Sequence, residues 1–259
     1  MQHQEFEPPA ALRDVIQCFW HLSRDFGALP ASFEVVPDGY AEIIFQFGDA
    51  CSLTTPGGLQ PLASPFMVGL LRQPAQFYTP SRLEIIGIRC FPWTVFELLG
   101  LPPGQDGVRA LAHPIAQLQA PLAHCLQADR LAEALAQLAQ YLLESRARVA
   151  LDGRLGRAGA AMRAGGGTLP VSQVAAAAHA TVRTLERNFK QAAGYTVKDV
   201  SALMRFEQVR NHLWQHPAAS LAGLAQALGY TDQAHLSREF KRYSGTTPAA
   251  FARQARRGR

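Results

Sequence analysis

The side chains with the clearest chemistry recur twice in the last third of the chain. Arg187 matches Arg238 and Lys190 matches Lys241, each pair being 51 residues apart. A guanidinium group can donate two hydrogen bonds to guanine O6 and N7, and an ammonium group can neutralise a phosphate. Repeated basic residues are typical of a surface that binds a polyanion. A basic surface can also increase solubility, or bind acidic proteins or membrane lipid.

The charge is divided unequally between the two halves of the 259-residue chain. Residues 1–150 contain 9 Lys and Arg against 14 Asp and Glu, a net of −5. Residues 151–259 contain 16 basic and 6 acidic side chains, a net of +10. The formal charge of +5 therefore conceals an acidic and a basic domain, and only the basic domain suits a polyanion.

An internal repeat surrounds these basic residues. Residues 174–181 align with residues 224–231 at an offset of 50, and from Leu185 and Leu236 onward the offset is 51. The second copy has therefore gained one residue inside its turn or at the start of its next helix. A repeat of this kind predicts two supersecondary units of the same type.

Each copy predicts a helix-turn-helix unit. A short Ala-rich helix is followed by a turn of three or four residues, by a Thr that can cap the next helix (Thr181 or Thr231), and by a second helix with Arg and Lys. In that second helix, Leu185 and Phe189 have the i,i+4 spacing of one buried face, as do their equivalents in the second copy. The remaining faces of the second helices are free for DNA.

One helix is predicted over residues 197–214, between the two repeats, because apolar side chains recur at helical spacing and Pro217 follows. Such a helix is a rigid connector, and it would fix the distance between the second helix of one helix-turn-helix unit and that of the other. For both helices to enter successive major grooves on one face of DNA, they must lie about 34 Å apart.

From about Asp152 to Arg253 the chain resembles the AraC/XylS family of bacterial transcription regulators, whose DNA-binding domain has two helix-turn-helix units joined by a long helix. The resemblance is most specific over residues 221–242 (LAGLAQALGYTDQAHLSREFKR), which residues 245–248 (GTTP) close. The resemblance implies a DNA-binding domain of about 100 residues.

The first unit departs from the family pattern at three positions. His179 occupies the turn position that is usually Gly, Ala178 replaces a larger apolar residue, and Val197 stands where Pro is common. Because the Gly of this turn is left-handed, a left-handed His179 is predicted, which is costlier but tolerable.

The resemblance implies that exposed positions of the second helices contact base edges. The base-contact residues carried over from the family are Arg183, Glu186 and Arg187 in the first unit, and Gln233, Ser237 and Arg238 in the second. The residues predicted to bind phosphates are Thr181, Lys190, Thr231, Lys241 and Arg242. Glutamine can hydrogen-bond adenine N6 and N7, which agrees with this role for Gln233. The alternative for Glu186 is an i,i+4 pair with Lys190.

The first half of the chain predicts short antiparallel strands followed by helices. From Phe33 to about Arg89, apolar runs such as residues 41–47 and 83–88 alternate with Pro and Gly turns. Beyond Trp93 the pattern is helical, and leucines spaced three to five residues apart over residues 122–148 predict one helix, which packs on its own domain or against a second subunit.

The predicted fold class is therefore two-domain α+β. Residues 1–150 are expected to form an antiparallel β-barrel-like (cupin-like) domain with helices, and residues 151–259 an all-α double helix-turn-helix domain.

The first half resembles the β-barrel type of sensor that often precedes the DNA-binding domain in this family, where it senses a small molecule and dimerises. Residues 36–45, Gly69 and residues 87–92 look like a domain attached to many such regulators. The candidate effector-pocket residues are Asp38, Tyr40, Glu42, Phe45, Arg89 and Trp93. Core packing of the aromatic side chains, a turn cap and an ordinary ion pair are the alternatives.

The sequence lacks motifs for catalysis or for a metal or cofactor site. It contains no HExxH, GxSxG, phosphate-binding loop or dinucleotide fingerprint, and no cofactor or metal is expected. The four cysteines are widely spaced and form no CxxC pair, which predicts buried reduced thiols, with redox control through Cys51 or Cys90 left open.

Together these features predict a non-enzymatic, sequence-specific DNA-binding transcription regulator. The expected partners are promoter DNA, a small-molecule effector, a second copy of the chain and RNA polymerase. The alternatives are an enzyme or repair protein with an appended DNA-targeting module, and a regulator that binds no ligand. The start of the chain lacks a signal peptide and no apolar run approaches about 18 residues, so a cytoplasmic protein without membrane contact is expected.

Overall fold

The computed structural model describes residues 2–27, 30–101, 107–150 and 153–257. Over these residues the protein has an antiparallel β domain followed by helices, which confirms the predicted α+β fold class. It divides into two compact units. The N-terminal unit covers most of the chain up to residue 152, and the C-terminal unit comprises the residues from Gly153 onward together with Val36–Gly39 and Leu70–Pro74. The domain boundary expected near residue 150 falls beside residues 151 and 152, which lie outside the described residues.

Two antiparallel sheets form the N-terminal unit. The strands are β1 (Gln2–Phe6), β2 (Ile16–Asp25), β3 (Ala31–Val35), β4 (Ala41–Gln46), β5 (Ser52–Thr55), β6 (Gly58–Pro61), β7 (Phe66–Val68), β8 (Ala75–Thr79), β9 (Arg82–Cys90) and β10 (Val108–Ala110). The larger sheet has the order β1-β2-β9-β4-β7-β10, and the smaller sheet has the order β3-β8-β5-β6. A turn at Pro56 and Gly57 joins β5 to β6, as expected for the Pro and Gly turns between the predicted strands.

Strands β1 and β2 precede the region in which strands were predicted. In β2 four consecutive residues from Cys18 are buried, so the alternation that marks a half-exposed strand is missing. Trp20 of β2 lies opposite Gly87 of β9, and a Cβ atom at position 87 would lie 2.0 Å from the Trp20 ring. The indole therefore requires glycine at this position of β9.

The helices of the N-terminal unit are α1 (Val95–Leu99), α2 (Gln119–Gln127) and α3 (Leu131–Arg148). The single helix predicted over residues 122–148 is wrong, because Asp129 adopts a left-handed φ of 56° that ends one helix before the next begins. The predicted buried face is nevertheless present, since Leu122, Leu138 and Leu142 lie in the core with residues of the large sheet.

Seven helices form the described part of the C-terminal unit from Gly153 onward. They are α4 (Gly153–Ala164), α5 (Val171–Ala177), α6 (Val182–Ala193), α7 (Val197–Gln215), α8 (Leu221–Ala227), α9 (Gln233–Ser244) and α10 (Pro248–Arg257). The pairs α5 with α6 and α8 with α9 are the two predicted helix-turn-helix units, and α7 is the predicted connector.

Candidate nucleic-acid interface

The tight turns of the two helix-turn-helix units have the same geometry. In the first unit the Ala180 amide donates to the Ala175 carbonyl (3.0 Å), and in the second the Tyr230 amide donates to the Ala225 carbonyl (2.9 Å). His179 has φ of 51° and Gly229 has φ of 69°, so the equivalent residue of each turn is left-handed. This backbone geometry, predicted for His179, lets the chain turn between the two helices of each unit.

The caps of the second helices differ from the prediction in one unit. Thr181 caps α6 as expected, because its Oγ1 atom accepts a hydrogen bond from the Thr184 amide (3.1 Å). The predicted Thr231 cap is wrong, since α9 is capped by Asp232, whose Oδ1 accepts from the His235 amide (2.6 Å). The additional residue of the second turn moves Thr231 away from the helix start and brings a carboxylate into its place.

The second helices α6 and α9 have the same pattern of burial when aligned at an offset of 51. Leu185 and Leu236 are buried in the two units, as are Phe189 and Phe240. The opposite face is solvent-exposed in both helices. Its exposed members among the predicted DNA contacts are Arg183, Arg187 and Lys190 in α6, and Gln233, Arg238, Lys241 and Arg242 in α9. Each unit therefore presents one polar, mostly basic face.

Two predicted base-contact residues are only partly exposed, namely Glu186 and Ser237. The carboxylate of Glu186 accepts a hydrogen bond from the Val197 amide at 3.2 Å. Among the ion pairs of the described residues, none joins Glu186 to Lys190. Glu186 thus helps to hold the start of α7, a role that the sequence prediction did not include.

Helix α7 begins with a capping box. The Thr196 hydroxyl accepts from the Asp199 amide (3.1 Å), and the Asp199 carboxylate accepts from the Thr196 amide (3.1 Å). Further along, Phe206 packs edge-on against Phe240 of α9, with 5.2 Å between the ring centroids. The connector is therefore fixed at its start by a capping box and packs against the second unit near its middle.

A largely buried polar cluster links the connector to the second helix-turn-helix unit and to the segment that precedes α5. Arg205 of α7 donates a hydrogen bond to the carbonyl of Gly167, which lies just before α5 (2.9 Å). The Nη2 atom of Arg205 lies 3.6 Å from Oε2 of Glu239 in α9. The guanidinium also lies over the Tyr230 ring, 5.2 Å from its centroid. Burial is the main cause of the raised pKa of Tyr230, and the Glu239 carboxylate raises this pKa further. We call Arg205, Glu239 and Tyr230 the connector cluster.

Three of the candidate effector residues, Tyr40, Glu42 and Arg89, lie close together. Glu42 and Arg89 face each other on β4 and β9 and form an ion pair (2.8 Å), and Arg89 lies 5.5 Å from the centroid of the Tyr40 ring. Phe45 and Trp93 have no exposed surface. Asp38 lies in Val36–Gly39, which is assigned to the C-terminal unit.

The cysteines are buried free thiols, as predicted. Burial raises the pKa of Cys18 and of Cys51 to about 11, and it raises the pKa of Cys90 further. Such thiols are protonated at neutral pH and are poor nucleophiles. Within the described ranges no group of three His, Cys, Asp or Glu residues could hold a metal ion, and no helix is long and apolar enough to cross a membrane.

The sequence prediction missed Asp232, the connector cluster and Val182, an exposed apolar residue at the start of α6. An insertion inside the turn, which is one of the two alternatives for the change of offset, would have placed Asp232 opposite Thr181 and Gln233 opposite Val182. No local pattern pointed to the connector cluster, because Arg205 and Glu239 are distant in the sequence.

Two family models match the chain. Residues 174–254 match a family described as a helix-turn-helix domain, and residues 4–105 match one described as a domain of unknown function (DUF6597). No curated protein matches the chain.

Several solved structures are similar to part or to most of this chain. A transcriptional regulator from Chromobacterium violaceum, described as containing an AraC-type DNA-binding domain, is 25% identical over 40% of this chain and 92% of its own, with a TM-score of 0.37. The DNA-binding domain of AdpA, a global transcriptional factor in complex with a target DNA, is 24% identical over 41% of this chain and 95% of its own, with a TM-score of 0.37. ToxT from Vibrio cholerae O395 is 8% identical over 92% of this chain and 98% of its own, with a TM-score of 0.47.

Proposed function

We propose that this chain, which carries an AraC-type helix-turn-helix domain in its C-terminal region, binds one DNA site through α6 and α9 and regulates transcription there. One observation carries the proposal. Helices α6 and α9 bury apolar side chains in the same register, and they expose basic side chains at two equivalent pairs of positions, Arg187 with Arg238 and Lys190 with Lys241. A protein that binds DNA through a single helix does not need this duplication. A protein that binds two adjacent major-groove segments needs one such helix for each segment.

The base contacts are assigned to Arg183, Glu186 and Arg187 in α6 and to Gln233, Ser237 and Arg238 in α9. Arg187 and Arg238 are the strongest members, because both are exposed at equivalent positions and each can donate two hydrogen bonds to guanine. Gln233 suits adenine. Glu186 and Ser237 are partly exposed, so they contribute at the edge of the interface.

The phosphate contacts are assigned to Thr181, Lys190, Thr231, Lys241 and Arg242, all of which are exposed. The net charge of +10 over residues 151–259 provides the attraction for the DNA backbone. This attraction is independent of sequence, so it raises affinity without selecting a site.

Fixed geometry between α6 and α9 is the second requirement. The connector α7 meets it through its capping box and through the connector cluster, in which Arg205 contacts the Gly167 carbonyl and Glu239 of α9. A rigid connector limits the proposed site to two segments about one helical turn apart.

Regulation is assigned to the N-terminal unit, through a small-molecule effector or through a second copy of the chain. Tyr40, Glu42 and Arg89 are its candidate ligand-contacting residues, since they lie together and keep part of their surface exposed. Phe45 and Trp93 support this site from the core rather than contacting a ligand. In this proposed role the chain acts in the bacterial cytoplasm, contacts promoter DNA and RNA polymerase, and catalyses no reaction.

The proposal is tested by selecting bound duplexes from a random-sequence library with the full chain at two salt concentrations. We expect an enriched motif with two segments about 10 base pairs apart. Arg187→Ala and Arg238→Ala should each relax one different segment, whereas Arg13→Ala, in an exposed ion pair of the N-terminal unit, is the matched control. Binding that is equally weak for all sequences at both salt concentrations contradicts the proposal.

A further inference from the structure

Val182 is an apolar side chain on an otherwise polar surface. It is the first residue of α6 and is 44% exposed, and among the described residues only Leu59 and Trp214 are comparably exposed large hydrophobic residues. The buried face of α6 is formed without it, by Leu185, Phe189 and two alanines near the end of the helix. Packing within the chain therefore does not explain a valine at this position.

The equivalent position in the second unit is Gln233. Each of the two residues follows the capping side chain, Thr181 or Asp232, and each precedes a buried leucine by three positions. Gln233 is exposed and belongs to the proposed base-contact set. In helix-turn-helix proteins the N-terminal residues of the second helix contact base edges, so Val182 occupies a base-contact position.

The chemistry of valine limits what it can contact there. Its side chain has no hydrogen-bond donor or acceptor, so it cannot pair with the N7, O6, N6, N4 or O4 groups of the bases. The one apolar group that the four bases present in the major groove is the 5-methyl group of thymine. Burial of valine against that methyl group removes apolar surface of both from water.

We infer that Val182 contacts the 5-methyl group of a thymine in the DNA segment bound by the first unit, whereas Gln233 hydrogen-bonds a base in the second segment. The two segments of the site therefore differ, even though the two units are repeats. This inference rests on the proposed function and deepens it by naming a group that the first unit recognises.

The test replaces thymines of the selected site one at a time with deoxyuridine, which removes only the methyl group. With the wild-type full chain, one replacement in the segment relaxed by Arg187→Ala should lower affinity about three- to fivefold, as expected for one buried methyl group. Val182→Ala should lower affinity for the thymine site and reduce the loss that this replacement causes, because alanine keeps only the Cβ methyl group for the contact. Gln233→Ala, the matched control, should weaken binding but keep the sensitivity to deoxyuridine.

Three outcomes overturn the inference. A wild-type chain that binds all deoxyuridine sites of the first segment as tightly as thymine sites makes no methyl contact. A Val182→Ala chain that keeps the full sensitivity of the wild-type chain to deoxyuridine assigns the contact to another residue. If the library yields no motif at all, the proposed function fails and the inference falls with it. An unchanged unfolding temperature of Val182→Ala shows that the fold is intact, since alanine is well tolerated in the first turn of a helix.

Discussion

His179 and Gly229 occupy the same left-handed position in the turns of the two helix-turn-helix units, with φ angles of 51° and 69°. A left-handed backbone costs a residue with a Cβ atom roughly 1–2 kcal/mol, whereas glycine adopts it freely. The first unit therefore carries a strain that the second unit lacks.

This relationship predicts opposite effects of substitution at the two turns. His179→Gly should raise the free energy of unfolding of the C-terminal unit by about 0.5–1 kcal/mol, because the relief of strain exceeds the entropy cost of the added glycine. Gly229→Ala should lower it by about 1 kcal/mol. Chemical denaturation of both variants measures the difference, and a destabilised His179→Gly would contradict the strain.

Different residue types cap the two second helices. Thr181→Ala and Asp232→Ala should each destabilise the C-terminal unit by about 1 kcal/mol, because each removes the acceptor for an amide of the first helical turn. Thr231→Ala is the control and should change stability by much less. Thermal unfolding measures the stability of the three variants. Equal losses of stability for Thr231→Ala and Asp232→Ala would contradict the assignment of Asp232 as the cap of α9.

Base contacts and phosphate contacts should respond differently to salt. Arg238→Ala should lose discrimination at one base position, at a cost of about 1–3 kcal/mol on the selected site and little on random DNA. Lys241→Ala should weaken binding to all sequences similarly and reduce the slope of log affinity against log salt by about one unit. Titrations at four salt concentrations separate the two effects, and the same loss on random DNA for both variants would refute the assignment.

The connector cluster should contribute strongly to stability. Glu239→Ala leaves the Arg205 guanidinium, which is largely buried, without its carboxylate, and we expect a loss of about 3 kcal/mol. Glu207→Ala breaks a longer and more exposed pair with Arg210 on the same connector and should cost less than about 1 kcal/mol. Similar losses for the two variants in chemical denaturation would show that the cluster does not hold the connector.

The buried thiols predict a dependence of stability on pH. Burial raises the pKa of Cys18 and of Cys51 from 9.0 to about 11 in the folded chain, so the unfolded chain loses these protons first as the pH rises. The stability that the two protonated, buried thiols contribute is fully present below about pH 9. It is lost as the pH rises from about 9 to about 11, so the free energy of unfolding should fall over this range. The double variant Cys18→Ala and Cys51→Ala should have a smaller fall over this range.

Reactivity gives an independent measure of the same thiols. In the native chain at pH 7.5, Cys18, Cys51 and Cys90 should react with an aromatic disulfide reagent much more slowly than in denaturant, because they are buried and burial raises the pKa of each thiol. Rapid native labelling of Cys51 or Cys90 would instead support the redox control that the sequence left open.

The sequence by itself determined the repeated unit, because helix-turn-helix structure depends on local signals. The positions of Leu185 and Leu236, the left-handed turn at His179 and the helix between the units all follow from spacing and turn chemistry, and the structure agrees with each. The AraC/XylS resemblance of the C-terminal region, drawn from the same residues, is also confirmed.

Only the tertiary structure decided which side chains meet. The strand containing Trp20 was missed because both of its faces are buried, and the predicted helix over residues 122–148 was interrupted at Asp129 by a backbone conformation that leucine spacing does not encode. Arg205 and Glu239 pair because the packing of α7 on α9 brings them together, and Arg89 meets Glu42 because β4 and β9 are neighbours in the large sheet. Short-range periodicity specifies helices and turns, whereas contacts between distant residues depend on how the whole chain packs.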